Sequence, residues 1–444
     1  MKLFYKYLIL FSSVLFVLAG CVSTLEKEME VDSFLPRGDY SSAIKELSSN
    51  IEVFGKRNRL LYLLNAGAVH FYLDNFAESN SYFSEANKLS EILYTKSITN
   101  EAAGLMNPNL IPYDGEDYEN VMINVFMAFN YIKLGMIEDA GVEARIINSK
   151  LKLLSQKYES DNKYKNDALG RYLSGIIYET TGDINNAYIS YKKAYEAYVD
   201  YQKMFEFNIP GQIEIDILRL AERLGFSEQF KTYSQMFNPD SYKTEDGNSE
   251  ILVFIMTGLC PYKKEYEAKF SRADKEGKTH TFQLLIPKLV GRGSAVGNVT
   301  VKCENDSASI LRNAQIVEDI SKIAIKNMSD KMPQLLVKAW LRAYAKKKAS
   351  DKVKDKVDTG NVLGNLLVGA VTDGVAEELT HADIRCWRTL PSRIYFRRIQ
   401  VKPGSYDLEM RLKSISGDCL EKIKRKGIVV ENERKYFIFV ERFI

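Results

Sequence analysis

Apolar and polar positions in the first half of the chain alternate with a helical period, and the clearest stretch is 168–195. Its small residues, Gly175 and Ala187, lie on two successive predicted helices, so the helices can cross closely. Tyr191 and neighbouring apolar side chains are placed to fill the groove around them. Gly182, followed by an aspartate, provides the turn. The stretch therefore predicts a pair of antiparallel helices packed on each other.

The same spacing of small, aromatic and apolar residues recurs at 63–89 and 118–148, with partial copies after Gly38 and at 215–237. A unit of this kind buries its apolar face only when it stacks on the next unit. The spacing resembles the tetratricopeptide (TPR) repeat, whose period is about 34 residues. The resemblance predicts a TPR-like α-helical repeat domain over residues 34–238.

The pattern changes near residue 238, and a polar linker is predicted at 239–250. Residues 251–255 form a short apolar run that is typical of a buried strand. Further strands are predicted at 279–286, 297–303, 393–401, 406–412, 427–430 and 435–443. Helical periodicity predicts helices at 311–328, 332–348 and 361–379, with a break at 329–330. Residues 251–444 are therefore expected to form an α+β domain.

Turn residues indicate how the late strands are connected. Pro403 and Gly404 lie between two β-rich runs, which predicts a hairpin between 393–401 and 406–412. The runs at 427–430 and 435–443 are expected to pair in the same way. The predicted fold is thus a TPR-like helical domain followed by a mostly antiparallel β-sheet or sandwich domain with a helical insertion.

The start of the chain has the pattern of a secretory signal peptide, with basic residues, an apolar run at 8–18 and small residues before Cys21. The apolar run is short for a bilayer-spanning helix, which needs roughly 20 apolar residues. The ending Leu18-Ala19-Gly20-Cys21 resembles the bacterial lipobox, which implies cleavage before Cys21, diacylation of its thiol and acylation of the new amine. An ordinary signal peptide, or an N-terminal anchor with a chance cysteine, is the alternative.

The lipobox resemblance predicts a signal peptide at 1–20 and a lipidated tether at 21–33. Several acyl chains anchor a protein stably, whereas one chain is marginal. The resemblance also implies that an aspartate after the cysteine favours the inner membrane, so Val22 favours the outer membrane. We therefore expect a lipid-anchored protein of the bacterial cell envelope, on the periplasmic face or the cell surface.

Charge and cysteine content limit the partners and the chemistry. Lys and Arg total 61 against 58 for Asp and Glu, so the formal net charge is +3 and we expect no nucleic acid partner. Basic residues cluster at 346–348 and between Arg385 and Arg398. In the predicted strand Arg393, Tyr395 and Arg397 share one face, which either binds a polyanion or membrane headgroups or is simply solvated. An exported chain can form disulfides, and the candidate cysteines are Cys260, Cys303, Cys386 and Cys419. The sequence contains no zinc-ligand spacing or phosphate-binding motif, so we expect no metal and no cofactor.

The densest polar stretch, 377–391, contains His381, Asp383 and Cys386. These residue types could suggest a thiol nucleophile with a base. The members of such sites usually come from separate segments of the chain. We therefore favour a structural role, in which Asp383 pairs with or caps the chain near Arg385.

Two groups of motifs carry a family resemblance: YDGEDYE at 113–119 with AFNY at 128–131 and VEAR at 142–145, and ADIRCWRTLP at 382–391 with Pro403-Gly404. Together with the lipobox they resemble a widespread group of bacterial TPR-containing envelope lipoproteins, often encoded near lipoprotein activators of penicillin-binding proteins. The resemblance implies a role in envelope or peptidoglycan biogenesis. It provides no catalytic residues, because no activity is established for that group.

The sequence predicts a non-enzymatic scaffold that binds an envelope protein or peptide in the concave TPR groove. TPR grooves bind ligands through first-helix side chains, and the candidates here are Asn65, His70, Asn124, Asn130, Tyr131, Arg171 and Tyr178. Two alternatives stay open. One is an envelope enzyme acting on peptidoglycan or polysaccharide, which needs convergent carboxylates or a nucleophile with its base. The other is a structural component of outer-membrane assembly or adhesion.

The lipobox leads to a direct test. A Cys21→Ser variant should be released from the membrane fraction or mislocalised, because the acyl chains are the expected attachment. It should still fold, since the cysteine precedes the predicted domains. Membrane fractionation followed by circular dichroism of the released protein measures both outcomes. A variant that stays firmly bound to the membrane would contradict the lipoprotein interpretation.

Overall fold

The computed structural model describes residues 24–99, 111–158, 163–237, 248–273, 279–356 and 381–444. The described chain is helical over its first half and consists mainly of strands after residue 248. Cys21 with its lipobox, the helix predicted at 361–379 and nearly all of the linker predicted at 239–250 lie outside the described residues. Those expectations therefore stay predictions.

The helices of the first half form a repeat array in which each helix packs on its neighbour in the chain. They are α1 (Thr24–Phe34), α2 (Tyr40–Ser49), α3 (Ile51–Phe54), α4 (Arg59–Tyr72), α5 (Phe76–Thr99), α6 (Asp117–Lys133), α7 (Ile137–Lys157), α8 (Ala168–Thr180), α9 (Ile184–Phe205), α10 (Gly211–Arg223) and α11 (Ser227–Met236). The pairs α4–α5, α6–α7, α8–α9 and α10–α11 are TPR-like helix–turn–helix units. The predicted helical repeat is therefore present.

Close helix crossings depend on the glycines that the sequence pattern selected. Gly175 of α8 lies directly against the ring of Tyr191 on α9, and an added Cβ would overlap that ring. At Gly67 of α4 an added Cβ would lie 2.7 Å from Cε1 of Phe83 on α5, which is closer than van der Waals contact permits. Each glycine thus lets the aromatic ring of the second helix rest on the backbone of the first.

The segment predicted as a lipidated tether, 21–33, is mostly helix α1. Its Glu28 accepts a hydrogen bond of 3.2 Å from the Asn65 side chain of α4. Lys27 Nζ lies 2.9 Å from Glu46 Oε1 on α2, and Val31 is buried. These contacts make residues 24–33 part of the folded array, which corrects the lipidated tether predicted at 21–33 for these residues.

The second half contains nine described strands and one long helix. They are β1 (Ser249–Leu259), β2 (Tyr262–Ala273), β3 (Thr279–Val290), β4 (Asn298–Glu304), β5 (Ser309–Asp319), α12 (Ile320–Lys356), β6 (Pro391–Val401), β7 (Gly404–Lys413), β8 (Cys419–Val430) and β9 (Lys435–Arg442). Seven strands form one sheet in the order β8-β7-β4-β5-β6-β1-β9, in which only β1 and β9 run parallel to each other. Strands β2 and β3 form a separate antiparallel hairpin against α12.

The sheet differs from the sequence-based expectation in its pairing. Strands β6 and β7 are not neighbours, because β4 and β5 lie between them, and β8 and β9 form opposite edges. The sheet curls so far that Arg442 of β9 donates to Glu421 of β8 over 2.7 Å. Turn residues indicate where the chain reverses but not which strands it then joins, so both predicted hairpins were wrong. The described strands form one mixed sheet and a hairpin rather than a sandwich.

The helical insertion lies between β5 and β6, as predicted, but its bounds differ. Residues 311–319 belong to strand β5, because pairing with β4 and β6 overrides their helical periodicity. Helix α12 runs unbroken through 329–330 and contains Pro333. Among the described helices none is long and apolar enough to span a membrane.

Strand β1 is buried on both faces, as its apolar run predicted. Leu252, Phe254 and Met256 belong to a core shared with the helical array. Ile251, Val253 and Ile255, which point the other way, belong to a core enclosed by the curled sheet. Because side chains alternate between the two faces of a strand, β1 separates the two cores.

The glycine contacts predict opposite effects at two positions in the array. Gly175→Ala should lower the free energy of unfolding by about 1–3 kcal/mol, because the added methyl group overlaps the Tyr191 ring. Gly141→Ala on α7 is the control, since its Cβ would meet only Arg145 Nη1 at 3.8 Å. That change should raise stability by up to about 1 kcal/mol through helix propensity. Urea unfolding measures both, and equal effects would contradict the close crossing.

Candidate functional site

The inner face of the helical array, formed by α4, α6 and α8, is covered by the sheet of the second half. Phe129 of α6 has its ring centroid 5.2 Å from Phe254 of β1 and 4.9 Å from Phe439 of β9. Tyr172 of α8 lies 5.5 Å from Phe396 of β6. The side of the array that was expected to bind a partner is therefore packed against the chain's own sheet.

Three of the predicted groove residues are buried asparagines with partners inside the chain. The Asn65 side chain donates to Glu28 and accepts from Thr389 Oγ1 over 3.0 Å. Asn124 donates to Glu143 Oε2 over 2.7 Å. Asn130 donates over 2.9 Å to Ser79 Oγ and to Asn80 Oδ1.

The other four predicted groove residues are also held in the array. His70 is stacked on Tyr82 at a centroid distance of 5.1 Å. Arg171 donates to Asn166 Oδ1 over 3.0 Å and to the Asn148 side chain. Tyr131 and Tyr178 are half-buried against the shared core. All seven side chains thus contribute contacts within the array, and their role in ligand binding stays a prediction.

The four cysteines are free thiols in the described structure. Cys260, Cys303 and Cys386 are buried, whereas Cys419 is exposed at the start of β8. Burial raises the pKa of the Cys386 thiol to about 12, so it is not a thiolate at neutral pH. His381 is exposed and lies 3.2 Å from Glu265 on the β2–β3 hairpin. Among the described residues no group of three or more His, Cys, Asp or Glu side chains is placed to hold a metal.

The two motif segments singled out in the sequence meet in space. The backbone N–H of Trp387 donates to Glu119 Oε1 over 2.8 Å, and the Tyr113 hydroxyl donates to the same carboxylate. Arg385 donates to Asp383 over 2.8 Å and to the Ile111 carbonyl over 2.9 Å. The segments 113–119 and 382–391 therefore form a joint between the helical array and the second half.

Glu116 extends this joint to the hairpin and to α12. It accepts from Lys263 of β2 over 2.6 Å, from Asn327 over 2.7 Å and from Lys331. Burial by itself would raise the pKa of Glu116, but the two lysine charges outweigh it and hold that pKa well below its usual value. A cavity of about 180 Å³ remains beside these groups. The joint is thus a charged structural contact with little free space.

A second charged contact lies at the ends of α8 and α10. The Glu179 carboxylate accepts from Arg219 over 2.6 and 3.0 Å, from Arg398 of β6 over 3.1 Å and from Lys435 of β9 over 3.2 Å. Glu250 of β1 lies 3.1 Å from Arg398 and also contacts Lys435. We call this set, with Asp216, the ion-pair cluster.

The ion-pair cluster balances its charges inside the protein. Arg398 is 2% exposed and reaches Asp216, Glu250 and Glu179. Burial opposes ionisation of Glu179, but the charges of Arg398, Arg219 and Lys435 outweigh it and hold its pKa well below normal. The pKa of Glu250 is lowered in the same way. The cluster thus brings three acidic and three basic side chains into mutual contact.

Beside the ion-pair cluster is an opening that we call the charged cleft, with a volume of about 730 Å³. Its walls come from the ends of α6, α8 and α10, from the starts of β1 and β9, and from the turn before β9. Its floor includes Glu179, Arg219 and Lys435, and Arg223, Glu433 and Arg434 are exposed around it. The volume is within the range of ordinary ligand sites, and its lining is mostly polar. It can bind a polar ligand that carries charges of both signs.

The sequence did not indicate the charged cleft. Its charged groups come from five separate elements, and along the chain each is an ordinary Lys, Arg or Glu at no characteristic spacing. Glu179 lies three residues before Gly182 of the predicted turn. A charged side chain near a turn is usually expected to be solvated. Only the packing of β1, β6 and β9 on the helix ends turns these residues into one site.

No protein-family model matches this chain, and no curated protein matches it. Among solved structures it is similar to BtubC from P. vanneervenii, at 12% identity and a TM-score of 0.34 over 48% of this chain and 76% of that one. The apo form of RapI has 14% identity and a TM-score of 0.36, over 50% and 54%. A kinesin light chain from Podosopora anserina with TPR-like repeats has 8% identity and a TM-score of 0.33, over 47% and 90%. These likenesses extend over about half of this chain and are too low to support a functional conclusion.

The ion-pair cluster predicts both a stability loss and a pH dependence. Arg398→Met should lower the free energy of unfolding by about 3–5 kcal/mol, because it leaves three buried carboxylates with two cations. The lowered pKa values of Glu179 and Glu250 stabilise the fold above the ordinary glutamate pKa of 4.5, and that contribution is lost as the pH falls below it. Urea unfolding over a series of pH values measures both effects.

The control for this experiment is Arg434→Met, which removes an exposed arginine beside the same cluster. It should change the free energy of unfolding by no more than about 0.5 kcal/mol. The acid-dependent loss should be smaller in Arg398→Met than in the unmodified chain. Equal stability of the Arg398→Met and unmodified proteins at neutral pH would show that the cluster does not hold the two halves together.

Proposed function

We propose that this protein is a membrane-anchored lipoprotein of the bacterial envelope that acts as a protein–protein interaction scaffold, with a role in envelope or cell-wall biogenesis. The charged cleft carries this proposal, because it stays open where the sheet covers the rest of the inner face. Two exposed arginines, Arg223 and Arg434, and one exposed glutamate, Glu433, lie around it, so the cleft presents charges of both signs. An extended segment of an envelope protein with charges of both signs matches this lining.

The charged cleft favours binding over catalysis. A general acid needs a carboxyl group that holds a proton near neutral pH. Ion pairs instead lower the pKa values of Glu179 and Glu250, and both carboxylates already accept bonds from basic side chains. We therefore propose that a partner segment rather than a substrate occupies the cleft.

Acylation at Cys21 is the second part of the proposal. Helix α1 begins at Thr24, three residues after the cysteine. Three extended residues span at most about 11 Å, so an acylated Cys21 would hold the start of α1 close to the bilayer. Because α1 is packed on α2 and α4, the anchor would hold the whole array near the membrane surface.

The cleft hypothesis is tested with the full lipidated chain isolated from envelope extracts. Proteins retained on it are identified, and the affinity of the purified partner is then measured by calorimetry. The double variant Arg223→Glu with Arg434→Glu should weaken that affinity by about tenfold or more, because two exposed positive charges become negative. Both side chains are exposed, so the fold should be unchanged.

Arg145→Glu is the matched control, since Arg145 is exposed on α7 and does not line the cleft. It makes one charge reversal of the same kind, half the charge change of the double variant, and should leave the affinity unchanged. If the double variant and this control bind the partner equally well, the cleft is not the binding site. A partner whose binding weakens equally with both variants would indicate a general charge effect instead.

A further inference from the structure

Helix α12 carries an excess of positive charge that the rest of the chain does not share. Between Ile320 and Lys356 there are eleven Lys and Arg residues and three Asp residues, which leaves a surplus of eight positive charges. The whole chain has a net charge of only +3, so the remainder is net negative. The net positive charge of the chain therefore comes from this helix, although most of its Lys and Arg residues lie elsewhere and are balanced by Asp and Glu.

The first part of α12 is fixed to the body of the protein. Ile320, Ile323 and Ala324 are buried in the shared core, and Lys331 pairs with Glu116 of the joint. The helix then continues along β3 of the hairpin. Its position on the body is thus set by core packing and by a buried ion pair.

One side of α12 exposes aliphatic side chains. Leu336, Val337 and Leu341 are 38%, 58% and 41% exposed, whereas Leu335 and Ala339 are turned inwards. Residues 337 and 341 are one helical turn apart and so lie side by side. We call Leu336, Val337 and Leu341 the α12 patch. Lys338 follows Val337 in the sequence and Arg342 follows Leu341, so a basic residue adjoins each of these two in the chain.

We propose that the α12 patch is a membrane-contact surface that binds anionic lipid headgroups. A basic helix with an apolar side lies in the membrane interface, where its aliphatic groups enter the headgroup boundary and its cations meet lipid phosphates. Each basic residue near an anionic surface contributes roughly 1 kcal/mol. Lys322, Lys326 and Lys331 are bonded within the body of the protein, but residues 332–356 still contain eight Lys and Arg against two Asp, a positive charge that suits such a surface.

A second copy of this chain is a poorer occupant for the α12 patch. Two α12 helices brought face to face would place two large positive charges together, which repel each other. An anionic lipid surface removes that repulsion and also accepts the aliphatic groups. The proposal goes beyond the lipid anchor, because it assigns a second contact with the membrane that needs no acyl chain.

The test uses the chain from residue 21 onwards with Cys21→Ser, so that acylation plays no part. The residues removed precede every described element, since α1 begins at Thr24. The probe is a vesicle of phosphatidylethanolamine with phosphatidylglycerol, compared with a vesicle of phosphatidylcholine. The protein should sediment with the anionic vesicles, and raising the salt concentration should release it.

The double variant Leu336→Glu with Val337→Glu should bind the anionic vesicles about tenfold or more weakly, because both side chains lose their apolar contact. Lys338→Ala should weaken binding by about fivefold, which corresponds to one basic residue. Ile415→Glu is the matched control, since Ile415 is 89% exposed in the turn between β7 and β8. It should bind as well as the parent chain.

Circular dichroism of each variant verifies that the fold is kept. Absence of binding to anionic vesicles, or equal binding to phosphatidylcholine, would overturn the proposal. A dimer in light scattering that Leu336→Glu dissociates would also overturn it, because the patch would then be a subunit contact. Cys21 acylation is not involved, so a failed vesicle experiment leaves the proposed anchor to be judged separately by membrane fractionation.

Discussion

The aromatic side chains on the inner face of the helical array are covered by the chain's own sheet, and Phe129 lies against both Phe254 and Phe439. Helical repeats expose such a face unless something packs on it. Here the covering element belongs to the same chain, so the two halves share one continuous core. The ion-pair cluster around Glu179 and Arg398 closes one end of this contact, where charges replace aromatic rings. This packing leaves the charged cleft open at that end.

One consequence is that the two proposed binding surfaces lie outside the centre of the repeat array. The charged cleft is lined by the ends of α6, α8 and α10 and by residues of β1 and β9, whereas α12 is attached through the Lys331–Glu116 ion pair of the joint. The joint connects α6, the hairpin and α12, so the basic helix is held in a set orientation relative to the array. The cleft and the helix differ in chemistry, since one balances charges of both signs and the other has a large positive surplus.

The sequence predicted those structural features that depend on neighbouring residues, such as close helix crossings and a buried strand. Gly175 and Gly67 mark helix crossings because only a residue without a side chain permits that approach. The continuous apolar run at 251–255 indicated a buried strand, and the two cores on either face of β1 confirm it. The helix predicted over residues 311–328 was wrong for 311–319, because this segment pairs with β4, across a turn, and with β6, which is distant along the chain. The strand order failed for the same reason, since Pro403 and Gly404 define a turn and not a partner.

The sequence by itself determined the repeat pattern of the first half, the change of architecture near residue 238 and the two motif segments that later meet at Glu119 and Trp387. These features follow from residue size, hydrophobic period and turn chemistry, which act over a few neighbouring residues. Only the tertiary structure decided that the sheet fills the inner face, that Asn65 and Asn130 are internal and that Glu179 belongs to a cleft. Such outcomes depend on contacts between segments that are far apart along the chain, whose complementarity is not expressed in any local pattern.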